Sequence, residues 1–148
     1  MDIPEWIDSQ MIGRGLASVE RSEHEWLFCF SNELRLWIAC PWRIVVEGRI
    51  ALSDEDHAQQ FGLPEPVDGI EKAKTLLLGK VISGVATRTT GDLTINFEGQ
   101  IALEIWNNSS GYEGWRLVDN NNNGLISVVA TGGGELVFWT ANPNNKPN

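Results

Sequence analysis

Phe30-Ser-Asn-Glu-Leu-Arg-Leu-Trp-Ile38 and Phe97-Glu-Gly-Gln-Ile-Ala-Leu-Glu-Ile105 lie one over the other at a constant offset of 67 residues. In the first stretch Leu34, Leu36 and Ile38 alternate with Arg35 and Trp37. In the second, Ile101, Leu103 and Ile105 alternate with Ala102 and Glu104. A half-buried strand imposes this period of two, because successive side chains leave opposite faces of the sheet. Each stretch opens on a turn, Ser31-Asn32 or Glu98-Gly99, where Asn or Gly tolerates the positive φ of a tight hairpin.

The likeness extends outward on both sides. Ile12-Gly-Arg-Gly-Leu-Ala-Ser-Val19 matches Leu78-Gly-Lys-Val-Ile-Ser-Gly-Val85 after a slip of one residue, and Trp42-Arg-Ile-Val matches Trp115-Arg-Leu-Val. Two copies do not make a solenoid. The pattern predicts a mainly β protein of the α+β kind: two related antiparallel β-meanders packed together, with one or two short helices in the connection. The copies span about residues 12–52 and 78–140, in a single domain over 1–141. Trp26-Leu-Phe-Cys-Phe30 reads as one further strand, and others fall at 80–88, 92–97, 115–118, 125–130 and 135–140. Gly132-Gly133-Gly134 turns the last hairpin. In the connection, 53–77, Ser53 caps Asp54-Glu55-Asp56, with the acids at the positive end of the helix dipole. A second helix starts at Asp68, whose Glu71 three residues on resembles a capping box, and leaves at Gly79. Residues 142–148 read as a frayed polar tail.

Length and composition narrow the function. A chain of 148 residues is one ordinary domain, too short for a multidomain enzyme. Its net charge of -9 argues against nucleic-acid binding, whose main favourable term is cations displacing counterions from phosphate. No apolar run approaches the roughly 18 residues of a membrane span, so no membrane partner is expected. The start, MDIPEWIDSQ, lacks a basic region followed by an apolar one, which points to a cytoplasmic protein with its two cysteines reduced.

Catalytic and metal-binding patterns are sparse. There is no Gly-x-Ser-x-Gly elbow, and neither Gly13-Arg-Gly15 nor Gly132–Gly134 completes a phosphate-binding loop. His24 and His57 are the only histidines, and Cys29 and Cys40 stand eleven positions apart, so neither a metal nor another cofactor is expected. Asp119-Asn-Asn-Asn-Asn-Gly124 begins like a calcium loop with oxygens at 119, 121 and 123. Its twelfth position is Ala130 rather than Glu, so a wide hairpin loop is the better reading. Asn107-Asn108-Ser109 has the form of a glycosylation acceptor and reads as another turn.

Charge is distributed unevenly. Residues 1–71 hold 14 acidic and 5 basic residues, and 72–148 hold 6 of each. The excess negative charge therefore belongs to the first copy and the helix after it, which suits a docking face for a cationic partner. Trp26, Trp42, Trp115 and Trp139 read as core. Trp37 shares a face with Arg35 and stands where the second copy has Glu104, so it reads as an exposed interface anchor. Candidate contacts are Glu20, Glu23, Glu25, Glu33, Asp54, Glu55 and Asp56, with Trp37 as anchor.

Tyr112-Glu-Gly-Trp-Arg-Leu-Val118, Val128-Val-Ala-Thr-Gly-Gly-Gly-Glu-Leu-Val-Phe-Trp139 and Leu93-Thr-Ile-Asn-Phe97 carry a resemblance. The chain resembles a family of small uncharacterised bacterial β-rich proteins with a Tyr-Glu-x-Trp strand and a terminal Gly-Gly-x-Leu-x-x-Trp hairpin. The likeness covers about 75–140 well and the first copy more loosely, and it implies no catalytic site. Small acidic proteins of this kind are similar to immunity proteins, which neutralise a bacterial toxin domain. The resemblance implies a non-enzymatic binding protein whose acidic face masks a basic toxin. The rival expectation is a small-ligand- or metal-dependent enzyme with its site between the copies.

Overall fold

The strands expected at 26–30, 34–38 and from residue 80 onward form, and three more at 16–21, 42–46 and 49–53 complete the first repeat, in a computed structural model that describes residues 1–122 and 126–140. The chain runs α1 (Ile3–Met11), β1 (Leu16–Arg21), β2 (Trp26–Phe30), β3 (Leu34–Ile38), β4 (Trp42–Val46) and β5 (Arg49–Ser53). A 3-10 turn (Asp54–Asp56) and α2 (Gly69–Leu77) then lead into β6 (Ile82–Thr87), β7 (Leu93–Phe97) and β8 (Ile101–Ile105). Finally come β9 (Trp115–Asp119), a second 3-10 turn (Asn120–Asn122), β10 (Ile126–Ala130) and β11 (Leu136–Thr140). The expected tail at 142–148 and the Asn123 and Gly124 positions of the calcium-like loop lie outside the described residues.

The fold is mainly β, two antiparallel sheets packed face to face with two short helices. Neither sheet belongs to one repeat. Six strands run in the order β1-β2-β3-β9-β10-β11 and five in the order β5-β4-β8-β7-β6. Each repeat's three-stranded meander is thus completed by the other repeat's following strands, through the β3–β9 and β4–β8 pairings. Gly15 and Val81, 66 positions apart, form an antiparallel bridge with each other. Gly13 N–H donates to Ile82 O at 2.9 Å, and Ile82 N–H donates to Arg14 O at 2.8 Å.

The helices obey the same exchange. α1 packs on β6 and β11, and α2 packs on β1 and β5, so every sheet edge has a helix against it. That covering satisfies a general need, since bare edges invite foreign strands. The sequence pattern missed α1, although Asp2 and Glu5 form a full capping box there, with Glu5 N–H donating to Asp2 Oδ1 at 2.8 Å. At the position 66 residues on, Asp68 Oδ1 accepts from Ile70 N–H and Glu71 N–H, both at 3.1 Å. The expected reciprocal bond from Glu71 is not made, because that carboxylate turns to Lys74 at 3.4 Å instead.

The hairpin turns hold left-handed residues at Asn32 and Glu33 in one repeat and at Gly99 and Gln100 in the other. In the core, Trp42 meets Trp26 and Phe28 edge to face, at ring distances of 4.9 and 5.3 Å, and so locks β4 of one sheet against β2 of the other. Trp26, Trp42 and Trp115 are buried as expected; Trp139 is not, being 38% exposed. Parity along β11 explains the difference: Phe138 turns inward to meet Trp6 of α1 at 5.7 Å, so Trp139 must turn outward.

Candidate functional site

The loops at one end of the sandwich gather carboxylates. Glu23 and Glu25 lie in the turn just before Trp26, and Trp26 touches both Trp42 and His57. The Asp54–Asp56 turn therefore sits at the same end. Glu20, near the close of β1, belongs with this group. Glu33 does not: it occupies the turn at the far end of β2, a strand length of roughly 17 Å away. Trp37 lies on the outer face of the six-stranded sheet, half-buried, with the Arg116 guanidinium 5.2 Å from its ring centre. Arginines rather than carboxylates flank it, so it is not the centre of an acidic patch.

A cleft of about 470 Å³ opens beside the Asp54–Asp56 turn, lined by Asp54, Glu55, Asp92 and Glu104 together with Arg43 and Arg88; Glu20, Glu23 and Glu25 are not in its wall. Arg43 and Glu104 face each other across the β4–β8 ladder and bond at 2.7 Å, which leaves Asp54, Glu55 and Asp92 against the single cation of Arg88. Asp54 Oδ1 accepts from Trp42 N–H at 3.4 Å. Burial raises the Asp54 carboxyl above its ordinary pKa in spite of that bond, and the neighbouring Glu55 charge raises it further. A cation in the cleft would offset both by favouring the ionised carboxylate. Asp56 plays another part, since its Oδ2 accepts from Ser53 N–H at 2.9 Å and closes the turn.

His57 and Cys40 are held by the fold. His57 Nδ1 accepts from Gly69 N–H at 3.0 Å, so this ring caps α2. A Cβ at Gly69 would stand 3.0 Å from Trp26 and 3.2 Å from His57, so any side chain there would push these rings by a few tenths of an ångström. His24 is a surface residue 3.9 Å from Glu23. The Cys40 thiol is pushed up to about 12, chiefly by burial and then by the charges of Asp54 and Asp92, so it stays protonated and poorly nucleophilic. Among the described residues no three of His, Cys, Asp and Glu are grouped to hold a metal ion.

Behind the cleft Asn107 ties three loops together. Its Nδ2 donates to Thr90 O at 3.0 Å and Thr131 O at 3.3 Å, and its backbone N–H donates to Asp92 Oδ1 at 3.0 Å. It is buried to 8% exposure, so the apparent glycosylation acceptor is a structural hub. A second cavity of about 700 Å³ adjoins it, with His24, Cys40, Tyr112 and Glu113 in its wall. Trp106 and Tyr112, 66% and 82% exposed, stand on the same loops. In the calcium-like segment Asp119 is buried and its Oδ1 accepts from Asn121 N–H at 3.0 Å, turning the chain.

Sequence reasoning placed the acidic excess in the first repeat and passed over Asp92, Glu104 and Glu113. Nothing local marks them. They reach the site because β8 pairs with β4 of the other repeat and because the loop after β8 folds back over Cys40. Among the described residues no helix is long and apolar enough to cross a membrane.

Comparison with curated proteins and with solved structures finds no significant match. A family model, described as a family of unknown function (DUF6188), matches residues 27–140, which takes in strands of both repeats rather than the second alone. The chain belongs to the DUF6188 family, a family of unknown function.

Proposed function

We propose that this chain is a non-enzymatic binding protein of the immunity type, whose acidic loop end covers the basic surface of a toxin domain. One observation carries the reading: carboxylates of the connection, Asp54 and Glu55, and of the second repeat, Asp92 and Glu104, line a single cleft, where Asp54 is held above its ordinary pKa by burial and by Glu55. A Lys or Arg side chain entering there exchanges water for several carboxylates in a partly desolvated site, where charge pairing is stronger than on an open surface. Trp106 and Tyr112 supply exposed aromatic area beside the charges, the residue types that dominate protein interfaces.

The test uses the product of the coding region beside this one, where an immunity protein's partner is encoded. That protein should be basic and should bind with an affinity that falls as salt rises. Reversing Glu23, Glu55 and Glu113 together to Lys, all exposed positions, should weaken binding by roughly tenfold to a hundredfold and leave thermal unfolding unchanged. Unaltered affinity and salt dependence in that variant would sink the proposal, as would a neighbouring product that does not bind.

A further inference from the structure

The six-stranded sheet has two faces, and only the inner one is accounted for by the core. Phe28, Leu36, Leu117 and Val128 point inward and are fully buried, so their neighbours along each strand point out. One outward row crosses the sheet as Glu20, Leu27, Trp37, Arg116, Val129 and Val137, with its one carboxylate at the β1 edge. The next is Cys29, Arg35, Val118, Ser127 and Trp139. Both helices lie at the sheet edges and none lies across these rows.

The other repeat shows that the fold does not need an apolar surface here. At the offset of 67, Leu27, Cys29, Arg35 and Trp37 correspond to Thr94, Asn96, Ala102 and Glu104, on the outer face of the five-stranded sheet. The same meander position is thus polar in one repeat and aromatic, aliphatic and cationic in the other. Leu27 is only 7% exposed yet stands outside the core cluster. Trp37 is half-buried under Arg116. Such a pre-packed anchor loses little side-chain freedom when a partner arrives.

We propose that this outer face docks a protein segment carrying apolar side chains between carboxylates. The charge pattern selects that occupant. On a chain of net charge -9 the centre of the face holds two arginines, Arg35 and Arg116. Arg35 has Glu33 at 3.9 Å, while among the described residues no carboxylate stands within ion-pair distance of Arg116. Its guanidinium is oriented by the Trp37 ring, ready for a fork-like bond to a carboxylate. A second copy docked face to face would set arginine against arginine about a two-fold axis. A nucleic acid would need more cations than two on so acidic a protein.

The experiment selects displayed random peptides on the full chain and counter-selects them on the Leu27→Thr/Trp37→Glu variant, which carries the other repeat's residues. Enriched peptides should place Leu, Phe or Trp between Asp and Glu, and a synthetic peptide of that sequence should bind less tightly as salt rises. Arg116→Ala, at an exposed position, should weaken that peptide about tenfold, the worth of one charge-assisted bond. Unchanged thermal unfolding of both variants keeps the comparison interpretable. Peptides that are basic or uncharged, binding indifferent to either variant, or no face-dependent peptide would overturn the proposal. Displacement of the peptide by oligothymidylate would reassign the face to nucleic acid, and a dimer abolished by Trp37→Glu would reassign it to a second copy. Glu23, Glu55 and Glu113, the positions reversed in the toxin test, are untouched by these variants, so the two results are independent.

Discussion

Gly114→Ala should be one of the most destabilising single-methyl changes in this protein. A Cβ at residue 114 would overlap Asn107 Oδ1 and stand 3.0 Å from Asn107 Cγ and 3.3 Å from Cys40 Sγ. The backbone at 114 cannot move aside, because Gly114 N–H donates to Ala130 O at 2.9 Å and Gly114 O accepts from Ala39 N–H at 2.8 Å. Asn107 cannot retreat either without giving up Thr90 O and Thr131 O. Losing those two bonds in a buried site, at roughly 1–2 kcal/mol each, amounts to about 2–4 kcal/mol. For a chain of this size that lowers the unfolding midpoint by roughly 5–15 °C. Gly111→Ala is the control, since a Cβ there meets nothing within 4 Å, and it should change stability by less than about 0.5 kcal/mol. Thermal and urea unfolding of both variants decide the matter, with a coupled Gly114→Ala/Asn107→Ala double mutant less destabilised than the sum of its parts. If Gly114→Ala unfolds at the wild-type midpoint, the role of Asn107 as a rigid hub is wrong.

Asp54→Asn should stabilise the protein at neutral pH and make no difference in strong acid. The folded chain holds the Asp54 proton more tightly than the unfolded chain does, so wild-type stability is greatest below the unfolded value and falls as pH rises through the raised folded one; urea titrations across the acid range check this. For the same reason partner binding at the cleft should release a proton and tighten as pH rises through that range, measurable by calorimetry in buffers of different ionisation heat. Cys40 should resist iodoacetamide in the native protein at neutral pH and react once urea unfolds it, because a thiol with a pKa of about 12 is thiolate to only about one part in 10⁵ at pH 7; peptide mass mapping would expose any native labelling. A double-mutant cycle on Arg43 and Glu104 should give roughly 0.2–1 kcal/mol, shrinking with salt, since both side chains are partly exposed.

Much of the secondary structure was legible because its causes are local. Leu34, Leu36 and Ile38 alternate with exposed or half-exposed neighbours and all three are buried in β3. Asn32 and Gly99 sit in the turns that their tolerance of positive φ suits, and Gly133 and Gly134 turn the last hairpin. α1 was missed although Ile3, Trp6, Ile7 and Met11 recur at i, i+3, i+4 and i+8, one face of a nine-residue helix. The capping pair of Asp2 and Glu5 was a second readable signal, and Asp68 and Glu71 repeat it one period later. Of the candidate contacts, Asp54 and Glu55 line the cleft and Glu23 and Glu25 lie in a turn at the same end, while Glu33 and Trp37 stand elsewhere. Sequence spacing places a residue on a strand but does not say which end or face of the sandwich that strand presents.

Strand parity, turn positions and the duplication were written in the chain itself, since each depends on residues a few places apart and on the period of two. The exchange of strands between repeats was decided only in three dimensions. β3 and β8 present the same alternating apolar face, so neither carries a local mark saying whether its outer neighbour comes from its own repeat or the other. Burying both faces at once settles that choice, and it also delivers Glu104 to Arg43 and turns Trp37 away from the acids.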